Sequence, residues 1–211
     1  MPRYAILGDF LPERDNRQIL DWVLANAAEF SAATVTTGQV DSEDRVSDTK
    51  RIALTTSNLG PFEAMLTERF MGALPHIAAH TGLPVSPQSL ELEFSAHGDG
   101  GFFGPHIDIP TGRKRQAGGD AHGQDRLISA VYYFHREPKA FADGALRLYR
   151  FGADPAGSGQ EPAHHIDFEP VNNSLIAFPS TVLHEVRPVR CPTPTFEDRR
   201  FALNCWYCRA L

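Results

Sequence analysis

Arg200-Phe-Ala-Leu-Asn-Cys-Trp-Tyr207 reads as a β-strand. Successive residues of an extended chain point to opposite sides, so Arg200, Ala202, Asn204 and Trp206 share one face. The company is mostly apolar, and a guanidinium buried in it is costly unless paired. A face carrying one cation, one amide and one aromatic suits an anionic ligand in a pocket. The competing reading is an exposed strand-end arginine, which is what we expect of Arg199.

Upstream runs share this texture. Leu90-Glu-Leu-Glu-Phe94 alternates apolar and polar residues with the strand period. Leu127-Ile-Ser-Ala-Val-Tyr-Tyr-Phe134 reads as a buried or half-buried strand, and Ala145–Tyr149 and Ser174–Phe178 follow. Gly, Pro and Asp separate the runs. Before residue 88 the pattern differs. Residues 4–7 suit a short strand. Residues 13–29 place Ile19, Trp22, Val23 and Ala27 at helical spacing. Residues 32–50 are polar and predict a mobile connection. Residues 61–81 are helical again, with Pro61 suited to a first turn and Pro75 expected to break or kink the helix. Many short strands after two helices predict an α+β, mainly β fold: an antiparallel double sheet with helices packed on one side. We find no repeat and no composition break, so we expect one domain over residues 1–211, helical to about 87 and β-rich from 88 to 208.

The bulk composition excludes several classes. A net charge of −6 argues against a general nucleic-acid binder. No apolar run approaches the roughly 20 residues that span a bilayer, and the N-terminus lacks a signal-peptide pattern. The expected compartment is the cytoplasm. The three cysteines, Cys191, Cys205 and Cys208, are an odd count that argues against a disulfide framework. Cys205-Trp-Tyr-Cys208 has the spacing of half a zinc site. In a strand, however, residues three apart face opposite ways, and buried thiols are the better reading.

Chemistry concentrates in three places. Gly100-Gly-Phe-Phe-Gly-Pro-His-Ile-Asp108 carries His106 and Asp108 two apart, where extended backbone lets both reach one ion. His184 follows in Leu-His-Glu-Val, after a strand and a Pro179-Ser-Thr turn. Two histidines and one carboxylate are the facial-triad ligand set, which binds non-haem Fe(II) and leaves coordination positions open. The third place is Arg200, a planar cation suited to a carboxylate. The remaining histidines, His97 included, have no partner at convincing spacing, and His184-Glu185 lacks the second histidine of a zincin motif.

The ordered set His106-x-Asp108, His184 and Arg200 resembles the Fe(II)/2-oxoglutarate-dependent oxygenases, in particular the prolyl 4-hydroxylase-like branch. Gly-Gly-Phe-Phe-Gly-Pro-His-Ile-Asp, Ala-Val-Tyr-Tyr-Phe, Asp-Gly-Ala-Leu-Arg-Leu-Tyr and Arg-Phe-Ala-Leu-Asn-Cys-Trp-Tyr resemble that branch in its order, across residues 90–208. The resemblance implies a double-stranded β-helix, or jelly-roll, core with the N-terminal helices packed on one sheet. It implies that His106, Asp108 and His184 ligate Fe(II), and that Arg200 pairs with the distal carboxylate of 2-oxoglutarate. Tyr133 would join that carboxylate, while Tyr132 points to the opposite face. Asn204 and Trp206 would line the cosubstrate pocket. Where the family has Gly-Gly, this chain reads Asp143-Gly144. Asp108 favours hydroxylation over halogenation, because halogenases of this type replace the carboxylate with a small residue. The implied cosubstrates are 2-oxoglutarate and O2, with ascorbate as a reductant. Succinate and CO2 are the implied co-products.

Arg126 matches a position that faces substrate in protein-directed prolyl hydroxylases; the plainer reading is a strand-start arginine. Residues 109–125, with Arg113, Lys114 and Arg115, are either a lid over the site or a solvated loop. The expected reaction is hydroxylation of an unactivated C–H bond, of a prolyl residue in a protein or peptide, or of a free amino acid or other small molecule. Two other classes remain: a jelly-roll binding module with a structural metal, and a metal hydrolase, which would lack a placed general base.

Overall fold

In the computed structural model, residues 1–35, 45–83, 86–109, 124–150 and 164–210 are described. Their element order is β1 (Ala5–Leu7), α1 (Glu13–Ala25), β2 (Ser31–Ala32), β3 (Thr34–Val35), β4 (Arg45–Val46), β5 (Arg51–Ile52), β6 (Leu54–Thr56) and α2 (Glu63–Thr81). Then come β7 (Ser89–His97), β8 (Phe102–His106), β9 (Gln124–Phe134), β10 (Ala142–Asp143), β11 (Leu146–Tyr149) and β12 (His165–Phe168). The order ends with β13 (Ser174–Pro179), β14 (His184–Val186), β15 (Val189–Arg190) and β16 (Arg200–Ala210).

Seven strands form a major sheet in the order β1-β13-β9-β16-β7-β6-β2, and five form a minor sheet, β12-β11-β14-β8-β5. Strand alternation gives the major sheet two different faces. Ile128, Ala130, Tyr132, Phe134, Phe201, Leu203, Cys205 and Tyr207 pack with Ile19 and Val23 of α1 and Leu66, Phe70 and Ile77 of α2. Burying one such Phe or Leu side chain stabilises by about 1.5–3 kcal/mol. The other face meets the minor sheet: Tyr133, Ile176, Phe178 and Ala202 pack against Leu146, Leu148 and Phe168. This facing pair of antiparallel sheets is the jelly-roll core, with helices on one sheet, as the sequence predicts.

Several sequence expectations need correction. The first helix ends at Ala25, not residue 29, because the Asn26 side chain donates to the Trp22 carbonyl at 2.8 Å and a short 3-10 turn follows. The second helix continues through Pro75 without a break. Pro75 and Met71 are on the exposed side, where water can replace the lost bond to the Met71 carbonyl. Of the connection read at 32–50, residues 34–35 and 45–46 form β3 and β4, and residues 36–44 lie outside the described residues. The division at residue 87 is not a structural one either. β1, β2 and β6 join the major sheet, and β5 joins the minor sheet beside β8. Such short strands carry no readable periodicity and exist because a longer partner offers an open edge. The loop reading of 110–123 lies outside the described residues.

A buried polar hub ties the chain start to the sheet. Asn173 takes the left-handed conformation, with φ 58°. Its Oδ1 accepts from the Leu11 N–H at 3.0 Å and the Tyr132 hydroxyl at 3.1 Å, and its Nδ2 donates to the Leu11 carbonyl at 2.8 Å. The same single hydroxyl proton is shared with Asn16 Oδ1 of α1, which is nearer at 2.6 Å. Asn173→Ala leaves these groups unsatisfied and strains the backbone. We predict a loss of about 2–4 kcal/mol of unfolding free energy, measured by urea denaturation.

Candidate metal centre and cosubstrate pocket

Pairing of β8 with β14 sets His106 directly opposite His184. Asp108 lies just past the end of β8, held by its N–H to the Ser180 carbonyl at 3.0 Å. The possible ligand atoms of His106, Asp108 and His184 all lie within 4.8 Å of one another. In each histidine, Nδ1 is engaged by a carbonyl two residues back. His106 meets the Gly104 oxygen at 2.8 Å and His184 meets the Val182 oxygen at 2.9 Å. A carbonyl can only accept, so Nδ1 carries a proton in both rings and Nε2 is the nitrogen turned towards the centre. Both Nε2 atoms face Asp108, at 3.5 Å each. Burial and the neighbouring His106 lower His184 to about 4, against the pull of Asp108, so its ring is neutral at physiological pH.

Asp108 is oriented by three elements. Its Oδ2 accepts from the Ser129 hydroxyl of β9 at 2.6 Å and from the Trp206 indole N–H of β16 at 2.8 Å. Ser129 in turn meets the Ser180 hydroxyl at 2.9 Å. Burial alone would raise the Asp108 carboxyl. His184, His106 and Ser129 outweigh it and hold the group well below the usual carboxylate range. The centre thus offers an ionised carboxylate and two imidazoles whose Nε2 atoms face it, the donor set that suits Fe(II).

Arg200 opens β16 at 1% exposure and lines the same cavity as the three ligands. Its Nε donates to the Gly144 carbonyl at 2.8 Å, and its guanidinium lies 4.9 Å from the Tyr133 ring centre. Gly144 has φ 73°, and a Cβ there would come within 2.8 Å of both Arg200 Cδ and Val189 Cγ2. Glycine is therefore required at 144, whereas Asp143 adopts φ 61° with its carboxylate paired to Arg190 at 2.6 Å. The departure from Gly-Gly costs the site nothing at the position that touches Arg200. Arg200 Nη2 and the Tyr133 hydroxyl are both buried without a partner. Burial pushes Tyr133 up against the pull of Arg200, so the phenol remains a donor. Two unsatisfied donors around a buried cation fit a carboxylate.

Residues 92–208 match the family model of the 2OG-Fe(II) oxygenase superfamily. The chain belongs to that superfamily. This oxygenase is 31% identical over 207 residues to an uncharacterised PKHD-type hydroxylase of Synechocystis sp. (strain ATCC 27184 / PCC 6803 / Kazusa). That match covers 96% of this chain and 62% of the relative, so the chain spans about three fifths of the relative's length. Its fold is similar to that of a prolyl-4-hydroxylase from Pseudomonas putida, at TM-score 0.65 and 22% identity, covering 99% of this chain and 94% of the other. It is also similar to the viral collagen prolyl hydroxylase of Paramecium Bursaria Chlorella virus-1, solved with 2OG. There the TM-score is 0.56 and the identity 14%, covering 99% and 97% of the two chains.

The fold brings His106, Asp108, His184, Arg200, Asn204 and Trp206 to one cavity, with differences in detail. Asn204 and Trp206 line the cavity, but Trp206 spends its N–H on Asp108. Tyr133 sits behind Arg200 and is not among the cavity-lining residues. Arg126 is bound through Nε to Glu91 at 3.0 Å and stacks 3.9 Å from the Trp206 ring centre. A substrate contact by Arg126 would have to share it with both. Sequence reading missed Arg51, His97, Ser129 and Ser180. Arg51 of β5 lines the cavity, pairs with Glu93 at 3.0 Å and lies 4.8 Å from the ring centre of Phe103. Phe103 itself stacks on His106 at 3.6 Å. Ser129 is inward on β9 by alternation with Tyr133, a signal that was available in the Leu127–Phe134 run. The cysteines are the buried thiols expected: burial pushes Cys205 well up and, with Glu91, Cys208 to about 12. Among the described residues, no helix is long and apolar enough to cross a membrane.

Trp206→Phe keeps the ring and removes the donor to Asp108. Outer-shell donors of this kind tune affinity by about 10–100-fold. We predict Fe(II) affinity lowered by about tenfold, measured by anaerobic chelator competition, with the far-UV circular dichroism unchanged.

Proposed function

We propose that this chain is a single-domain Fe(II)- and 2-oxoglutarate-dependent hydroxylase acting on an unactivated C–H bond of a prolyl residue in a protein or peptide. His106, Asp108 and His184 hold the iron. Arg200 and Tyr133 receive the distal carboxylate of 2-oxoglutarate. The observation that carries this reading is the convergence of a three-ligand centre and a buried, incompletely bonded arginine on one cavity. A binding module with a structural metal has no use for the second feature.

With iron, 2-oxoglutarate and O2 bound, the centre supplies the oxidising power for hydroxylation, releasing succinate and CO2. The chain's own residues contribute orientation and exclusion of water. The two backbone carbonyls fix the imidazole tautomers. Ser129 and Trp206 hold Asp108 in one rotation. The presence of Asp108 supports hydroxylation over halogenation. Burial of Arg200 makes its charge more effective than it would be in water. The prolyl substrate is supported by fold similarity to two prolyl hydroxylases and by the PKHD-type relative. Ascorbate as reductant belongs to the same proposal.

Anaerobic addition of Fe(II) and then 2-oxoglutarate should produce a visible charge-transfer band in the wild type. Arg200→Ala should lose the band at cosubstrate concentrations that saturate the wild type, and His184→Ala should lose it with the metal. Iron-loaded wild type that binds no 2-oxoglutarate would sink the reading. A screen of prolyl peptides against free amino acids, read by succinate release, then decides the substrate class.

A further inference from the structure

His97 is the last residue of β7, and the register of β16 sets it directly opposite Arg200. Directly paired residues project to the same side of a sheet. His97 and Arg200 are 3% and 1% exposed, and both line the cavity that holds the metal ligands. Arg200 Nη1 lies 3.5 Å from His97 Nδ1. A guanidinium has only donors, so Nδ1 must be the acceptor. A neutral imidazole has one acceptor nitrogen, so the proton sits on Nε2.

That Nε2–H is buried and has no partner. Buried polar groups usually have partners, so an open donor on a residue that lines a cavity marks a place for a ligand acceptor. The charged groups facing it are Arg200, Arg51 and Arg199; together with burial, the leading cause, they keep the ring neutral. Three donors are therefore buried and unbonded around one guanidinium: Arg200 Nη2, the Tyr133 hydroxyl and His97 Nε2. One carboxylate has about four lone-pair sites and one negative charge, enough to accept all three and balance the single cation.

We propose that His97 is a third member of the cosubstrate clamp, holding Arg200 through Nδ1 and presenting Nε2–H to the distal carboxylate of 2-oxoglutarate. This rests on the reading that the cavity takes 2-oxoglutarate. Tyr133 reaches the carboxylate from behind Arg200, while His97 reaches it from the neighbouring strand.

Two substitutions separate the two contacts. His97→Leu removes both. His97→Asn keeps an acceptor near the Nδ1 position for Arg200 and is too short to donate into the cavity. Full-length Fe(II)-loaded protein is titrated anaerobically with 2-oxoglutarate and, separately, with pyruvate, a 2-oxo acid that has no distal carboxylate. Loss of a hydrogen bond to a charged group corresponds to roughly 10–100-fold in affinity. We expect the Kd for 2-oxoglutarate to rise by about that range in His97→Leu and by a smaller factor in His97→Asn. Iron affinity and the Kd for pyruvate should be unchanged in both. A general structural role would instead shift all three constants together, and that result overturns the proposal. Wild-type affinity for 2-oxoglutarate in His97→Asn overturns the donor role by itself, including where His97→Leu fails to fold. A wild type that binds pyruvate and iron but no 2-oxoglutarate overturns the functional reading, and the clamp with it.

Discussion

β16 is hydrogen-bonded along both edges, to β7 on one side and β9 on the other. Its register decides the site. Slipping by one residue would move Arg200, Asn204 and Trp206 to the helix side and bring Phe201, Leu203 and Cys205 into the cavity. The apolar face prevents this, because those residues and Tyr207 are locked under α1 and α2. The same register sets Trp206 opposite Ser129 and Arg200 opposite His97. Both donors to Asp108 Oδ2 are therefore cross-strand neighbours. The orientation of the Asp108 carboxylate follows from hydrophobic packing on the far side of the sheet, which makes the helices part of the site without touching it.

Asp108 and Arg200 share the cavity and are prepared differently. Asp108 is surrounded by donors and by two imidazoles, so its burial is compensated. Arg200 is under-bonded: one carbonyl, one imidazole contact and one aromatic ring take up part of its donor capacity. An isolated buried guanidinium costs several kcal/mol, and a fold keeps such a cost where function uses it. Gly144 shows how closely the backbone is drawn in, since any side chain at that position would displace Arg200. Satisfying Arg200 fully with protein acceptors would have been the more stable design and the less useful one.

Much of this was readable in the chain. The long strands announced themselves by alternation, and the face assignment of Arg200, Asn204 and Trp206 followed from period two alone. His106, Asp108 and His184 were legible as a ligand set, although their meeting depends on a β8–β14 pairing that no local pattern encodes. Arg51 and His97 were not legible. Arg51 stands on a two-residue strand in a polar stretch, and such a strand is defined by its partner β8 rather than by its own sequence. His97 is 103 residues from the arginine it meets. Ser129 and Ser180 are ordinary residues whose role exists only because a carboxylate lies across the cavity. Pro75 illustrates the opposite error: a strong local signal was overridden because the residue falls on the exposed side of α2.

Two ion pairs stand against aromatic residues of the cavity wall. Glu91 and Glu93 project from the inner face of β7, two residues apart, and each holds an arginine from another strand, Arg126 of β9 and Arg51 of β5. Arg126 then lies over Trp206, and Arg51 over Phe103. Each pair thus ends on an aromatic ring that touches a metal ligand, Asp108 in one case and His106 in the other. Partly exposed ion pairs contribute little to stability, so these pairs are cheap to rearrange. They are neutral as units. Arg200 is thus left under-bonded in the cavity wall, whereas Arg51 and Arg126 are each paired with a carboxylate.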